Sequence, residues 1–274
     1  MAAATVDRLA RAAAWRRFTG APTGPGWVRL GDRLRDPAAL DAWYRAELDG
    51  PAVGHRDLAG ALIVYRFAGS LAELLMGPLL DQRRVLVVTV DDLALELAEG
   101  TRIDAVAATP AEVVVRADDP DAGRPGTRVV RDDGGLAEAA AAVLHTVFDP
   151  LAGAVRARAP FGVAGMWGTL ADHVAEGALA WARDHGDDPV PAWQAADTVL
   201  DHLAAREARL RVRPRPHPVA RGLYADKGTC CLIYKAHPAA TKAEQLAVAA
   251  CTSCPLRPDA DRHARFTRHA ATTT

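Results

Sequence analysis

The chain predicts an α+β fold that is mainly helical, with a small antiparallel sheet in its middle. Three observations point there. Long stretches before residue 80 and after residue 134 repeat apolar residues at helical spacing. The stretch between them breaks into short runs rich in valine, leucine and isoleucine. Those runs follow one another with no helical interval, which favours an antiparallel meander over a parallel α/β sheet. At 274 residues, 50% hydrophobic and 24% charged, the chain can bury a sizeable core.

Taken in order, Val6 to Thr19 reads as an amphipathic helix, with Arg8, Arg11, Arg16 and Arg17 among alanines and no apolar core of a secretory signal. Gly20 to Gly31, with Pro22 and Pro25, is a loop. Asp36-Pro37 supplies an N-cap and a first-turn proline for a helix from Pro37 to Leu48, which Gly50-Pro51 ends. Leu58 to Leu80 reads as one or two buried helices, with Gly69 or Gly77 as the break. No run approaches the roughly 18 to 20 consecutive apolar residues of a bilayer span, so a cytoplasmic protein is expected.

The run Arg84-Val85-Leu86-Val87-Val88-Thr89-Val90 is the pattern of a strand buried on both faces. Leu93–Leu97, Ile103–Ala107, Val113–Arg116 and Arg128–Val130 are further strands, with Asp118 to Gly126 as a turn. After Gly134-Gly135, Leu136, Ala140, Val143 and Val147 share one face of a helix that ends at Asp149-Pro150. Gly165 to Arg183 carries Trp167, Leu170, Val174, Ala178 and Trp181 at steps of three and four, a stripe that turns to a core. Pro191 to Leu210 is a third such helix. Arg211 to Pro218, alternating arginine and proline, reads as an extended connector. It divides a body, residues 1–210, from a C-terminal segment, residues 211–274. The tail Thr272–Thr274 reads as frayed.

Several chemistries are pruned by what is missing. A net charge of −1 provides no general attraction to nucleic acid or anionic membrane. The only serines, Ser70 and Ser253, lie outside any Gly-x-Ser-x-Gly elbow. There is no phosphate-binding Gly-x-x-x-x-Gly-Lys-Ser/Thr loop, no Gly-x-Gly-x-x-Gly turn and no His-Glu-x-x-His pair.

What remains is the cysteine pattern. All four cysteines fall in the last fifth of the chain, as Cys230-Cys231 and Cys251-Thr252-Ser253-Cys254. Clustered thiols in a reducing compartment favour metal ligation over disulfides. Four thiolates suit zinc or an iron–sulfur cluster. Zinc sites draw on two separated pairs whose side chains converge on one small ion. Adjacent cysteines in an extended chain point apart, which tilts the reading toward a two-iron cluster and leaves zinc as the rival.

Thr229-Cys230-Cys231-Leu232-Ile233-Tyr234-Lys235 and Cys254-Pro255-Leu256 resemble the C-terminal segment of the FhuF-like ferric siderophore reductases. The Gly165-Met166-Trp167-Gly168 element is similar to one upstream in the same family. The resemblance implies a [2Fe–2S] cluster held by Cys230, Cys231, Cys251 and Cys254. It also implies one-electron reduction of a ferric siderophore, with the docking surface expected on the body, residues 1–210. With no flavin or nicotinamide motif in the chain, electrons are expected from a ferredoxin or a flavin/NAD(P)H reductase. One departure stands out. Relatives place about ten residues between the second and third cysteines, whereas Leu232 to Ala250 is nineteen, an insertion that costs little loop entropy. Lys235 and Arg257 are the expected substrate-binding cations, with Arg221 and Lys227 just upstream. Trp167 is expected in the core, His237 as a loop residue, and His145, His173 and His202 as structural.

Overall fold

The computed structural model describes residues 1–13, 17–99 and 101–272. It is 56% helical with 16% strand in small mixed sheets, an α+β fold. Four helices make the framework: α4 (Arg56–Gln82), α5 (Asp133–Arg156), α6 (Val163–His185) and α7 (Pro189–Arg206). Before them come α1 (Ala2–Ala12), β1 (Arg17–Thr19), β2 (Trp27–Arg29), α2 (Leu30–Arg35) and α3 (Pro37–Asp49). Between α4 and α5 lie β3 (Arg84–Val87), β4 (Leu93–Ala98), β5 (Arg102–Ala108), β6 (Glu112–Arg116) and β7 (Thr127–Val130). The chain closes with β8 (Arg215–Val219), β9 (Gly222–Asp226), α8 (Lys242–Ala249) and α9 (Asp259–Thr272).

The helix α4 runs unbroken through both glycines expected to interrupt it. Packing explains Gly77: a Cβ there falls 2.6 Å from Leu9 and 2.9 Å from Trp181. The glycine lets α1 and α6 approach the α4 backbone, a gain that outweighs its helix cost of about 1 kcal/mol. By length and composition α4 passes as a membrane span, which the count of consecutive apolar residues does not reveal. Its most apolar window is 83% buried inside the fold, as in a core helix. Phe67, Leu71, Leu74, Leu75 and Met76 are all fully enclosed. Each such side chain contributes roughly 1.5–3 kcal/mol by leaving water.

The expected end of α5 at Pro150 is also overturned. The helix continues to Arg156, because Leu151, Ala152 and Val155 stay buried and hold it beyond the missing proline N–H. Asp132 caps its start by accepting the Gly135 amide at 3.1 Å.

The strands do not form one antiparallel meander. They split into a four-stranded sheet of order β1-β5-β4-β2 and a three-stranded sheet of order β3-β6-β7. The β1–β5 and β6–β7 pairs are parallel; the rest are antiparallel. The expected strand Arg84–Val90 stops at Val87. Thr89 and Asp92 then form a capping box on a short 3-10 turn, Val90–Asp92, and this turn sends β4 into the other sheet. The N-terminal helix ends at Ala12, Arg17 to Thr19 is β1, and residues 14–16 of that expectation, like 273–274 of the tail, lie outside the described residues.

Past residue 210, the expected connector becomes one strand of a hairpin, β8 paired with β9, with His217 opposite Tyr224. Pro216 and Pro218 are exposed on this outer strand, where a missing N–H costs no ladder bond. The hairpin packs Leu223 and Ala225 on Ala175 and Leu179 of α6. Helix α9 clamps its far side, with Phe266 stacked 4.8 Å from Tyr224.

Candidate metal centre

One face of α6 builds the seat for the cysteines. Gly165, Gly168, Asp172 and Glu176 recur at helical spacing along it. At Gly168 a Cβ falls 2.0 Å from Thr229 Oγ1, so only glycine lets the loop leading to Cys230 lie on the helix. One turn on, Asp172 is 1% exposed and accepts the Gly228 amide at 2.7 Å and the Thr229 amide at 3.0 Å. Burial pushes its carboxyl up, to about 8, against the pull of those two amides and of Lys227. Glu176, another turn along, pairs with Lys227 Nζ at 3.0 Å and lies 3.0 Å from Ser253 Oγ.

The Cys-Cys pair is parted by its own backbone. Leu232 takes a left-handed φ of 62° and opens a 3-10 turn, Ile233–Ala236, that packs on α3 and the start of α4. Cys230 Sγ thereby reaches Cys254 Sγ, 3.9 Å away, and accepts the Leu232 amide at 3.4 Å. Cys231, on the other side, meets Cys251, which also touches Cys254. The thiols form one chain of contacts, Cys230–Cys254–Cys251–Cys231, in which each thiol of Cys-Cys meets one of Cys-x-x-Cys. All four are free thiols, with Cys231 and Cys254 buried. Among the described residues, no three His, Cys, Asp or Glu side chains are grouped as one metal ion requires.

Electrostatics within the group are strained. Hydrogen bonding to Cys254 draws Cys230 down to about 7, and hydrogen bonding to Cys231 draws Cys251 down further. Cys231 and Cys254 are pushed up by the same contacts and by burial. Four thiolates this close repel one another, so losing all four protons needs a cationic centre among them. Lys227 supplies part of that charge. It is 7% exposed, sits 5.1 Å from the Tyr65 ring centre and favours the thiolates of Cys251 and Cys231. Burial opposes its charge, but Glu176, Tyr65 and the thiols more than compensate and raise its affinity for the proton.

Buried arginines hold the second cysteine loop. Arg257 donates to the carbonyls of Ala250 and Cys251 and pairs with Asp261 at 2.8 Å. Arg262 donates to the Arg257 carbonyl at 2.7 Å and pairs with Asp226 at 2.9 Å. Arg257, expected to touch a substrate, is therefore placed as a brace of the loop, 6% exposed. Lys235 is ion-paired with Asp57 and ties the 3-10 turn to the start of α4. Trp167 is fully buried, between His145 and Phe148. His237 accepts the Ala239 amide at 3.2 Å within the loop that leads to α8.

No family model and no curated protein matches the chain. The donor chemistry must speak for itself. Two thiolates on one tetrahedral centre with bonds of about 2.3 Å stand about 3.8 Å apart, close to the Cys230–Cys254 spacing. Four soft thiols in contact, an amide at one of them and a buried cation beside two others are a donor set that a two-iron cluster accepts.

Asp172, Glu176 and Tyr65 are neighbours of the cysteine segment that the sequence does not single out. A signal existed: two acids four residues apart, in a helix that from Val163 to Ala182 is otherwise apolar except for Thr169 and His173.

Proposed function

We propose that Cys230, Cys231, Cys251 and Cys254 hold a [2Fe–2S] cluster and that the protein is a ferric siderophore reductase. The observation that carries this is the chain of contacts that brings all four thiols together beside the buried Lys227 ammonium. The substrate rests on the resemblance of Thr229–Lys235 and Cys254–Leu256 to the siderophore reductases. When bound, such a cluster exchanges one electron at a time. Electrons come from a ferredoxin or a flavin/NAD(P)H reductase in the cytoplasm.

The chain's own residues set the conditions. Asp172 fixes the approach to Cys230 through two amides, and Arg257 and Arg262 fix the loop bearing Cys251 and Cys254. Lys227 and the Leu232 amide offset the negative charge gathered on sulfur. Buried Tyr234 and the 3-10 turn keep water from one side. No general acid or base is required, because the substrate's change is one of electron count. Ferric iron is hard and is gripped by oxygen donors; ferrous iron is softer, so one electron loosens the chelate.

Trapping ferrous iron tests this reading. Anaerobically reduced protein, mixed with ferric siderophores and a ferrous-specific chelator, is expected to form the coloured ferrous chelate. Cys231→Ser is expected to abolish it. No trapping with any siderophore would falsify the reductase assignment.

A further inference from the structure

A cleft of about 510 Å³ opens between α4, α6 and the start of β5. It falls in the size range of small-molecule sites, about 300–1,000 Å³. Tyr65, His173, Glu176 and Trp181 form its inner wall, and the Arg102–Asp104 ion pair, 2.7 Å, marks its lip. The flat rings of Tyr65, His173 and Trp181 suit a ligand with planar chelating arms, and the charged groups suit its polar rim.

The position of that wall matters most. Tyr65 and His173 face the cleft on one side. On the other they line a narrow gap that reaches Lys227, Thr229 and Cys231. Glu176 spans the same layer: Ser253 Oγ is 3.0 Å from its carboxylate and 3.9 Å from Cys251 Sγ. A single layer of side chains thus separates the cleft from the Cys231/Cys251 pair. The opposite approach, by way of the 3-10 turn, is covered where Leu232, Ile233 and Ala236 pack on α3 and α4.

We propose that this cleft is where the ferric chelate docks, an iron(III) ion wrapped in oxygen donors, with Tyr65 and Glu176 as the partition between it and the thiols. The assignment rests on the reductase reading for the identity of the ligand. The step would balance with one electron: a cluster held by Cys230, Cys231, Cys251 and Cys254 would supply it, replenished by the external donor, and the docked iron(III) would become iron(II). No atom is transferred, so a partition one side chain thick obstructs nothing.

Gallium(III) chelates separate docking from reduction, because gallium(III) takes the same oxygen donors and is not reduced. Equilibrium dialysis of the anaerobically purified holoprotein uses gallium(III) complexes of a trihydroxamate, a tricatecholate and a hydroxycarboxylate chelator. At least one is expected to bind. Gly177 lines the cleft, and the only neighbour a Cβ there meets is Ala72, at 3.9 Å. Gly177→Trp is expected to fill the space and weaken binding tenfold or more, with the visible spectrum unchanged. Arg102→Trp at the exposed lip carries the same expectation should the first variant not fold. Val248→Trp, on the exposed side of α8 near Cys251, is expected to leave binding unaltered. Binding that survives both cleft variants, binding lost only with Val248→Trp, or no binding of any complex overturns the docking site. A protein that binds gallium in the cleft yet yields no ferrous iron keeps the site and overturns the reductase reading.

Discussion

Lys227 carries a full charge into a place that holds almost no water. Such a charge persists only with partners, and its partners are Glu176, the Tyr65 ring and the thiols of Cys231 and Cys251. A cation beside thiolates favours the more negative, reduced state of whatever they hold. Lys227→Met is expected to lower the reduction potential by on the order of 60 mV, one decade in a one-electron equilibrium. Lys227→Arg, which keeps the charge, is expected to restore most of it. A redox titration followed by visible absorption reads both, and a potential indifferent to Lys227→Met removes the residue from this role. At this scale the four cysteines are legible because thiols in this spacing have few other uses. Their supports are not. Asp172 meets Gly228 across 56 residues and Lys235 meets Asp57 across 178, and no local pattern encodes such pairs.

Among the elements, the α3–α4 pair shows how burial sets a pH response. Glu47 of α3 is fully enclosed and pairs with Arg66 of α4. Burial raises its carboxyl to about 7 despite the arginine. The folded state therefore holds a proton that the unfolded chain releases near its ordinary value of about 4. Stability from this group is full below that value and declines as pH rises toward 7. Glu47→Gln, neutral throughout, is expected to flatten that part of the melting temperature's pH profile between pH 4 and 7. An unchanged slope would show that Glu47 is ionised in the fold. Helices α5, α6 and α7 are readable from their 3.6-residue stripes, and α4 from its apolar richness alone, which is why its length is not. The parallel pairing of β1 with β5 and of β6 with β7 is not, since strand partners are chosen across the fold. Two prolines hide β8 by suggesting an unpaired connector. In α9 the Arg262, Phe266, Ala270 stripe is present but mostly charged around it, which conceals a helix that buries those three residues.

For the whole molecule, the helical body and the cysteine segment act as one device. Helix α6 offers Gly168, Asp172 and Glu176 to the segment on one face and, through Glu176, Gly177 and Trp181, bounds the cleft. Together with Tyr65 of α4, the helix brings a ligand-sized space and the thiols to a common wall. The nineteen-residue interval between Cys231 and Cys251 is absorbed by the 3-10 turn and by α8, whose Thr241–Glu244 capping box secures its start. The added length lies beside the thiols without separating them. What those thiols bind decides what the molecule does. Iron and acid-labile sulfide analysis of anaerobically purified protein, with an EPR spectrum after reduction, asks that directly. The account predicts reddish-brown protein with about two irons and two sulfides per chain and a spin-half signal on reduction. Colourless protein with stoichiometric zinc, no sulfide and no signal would contradict it.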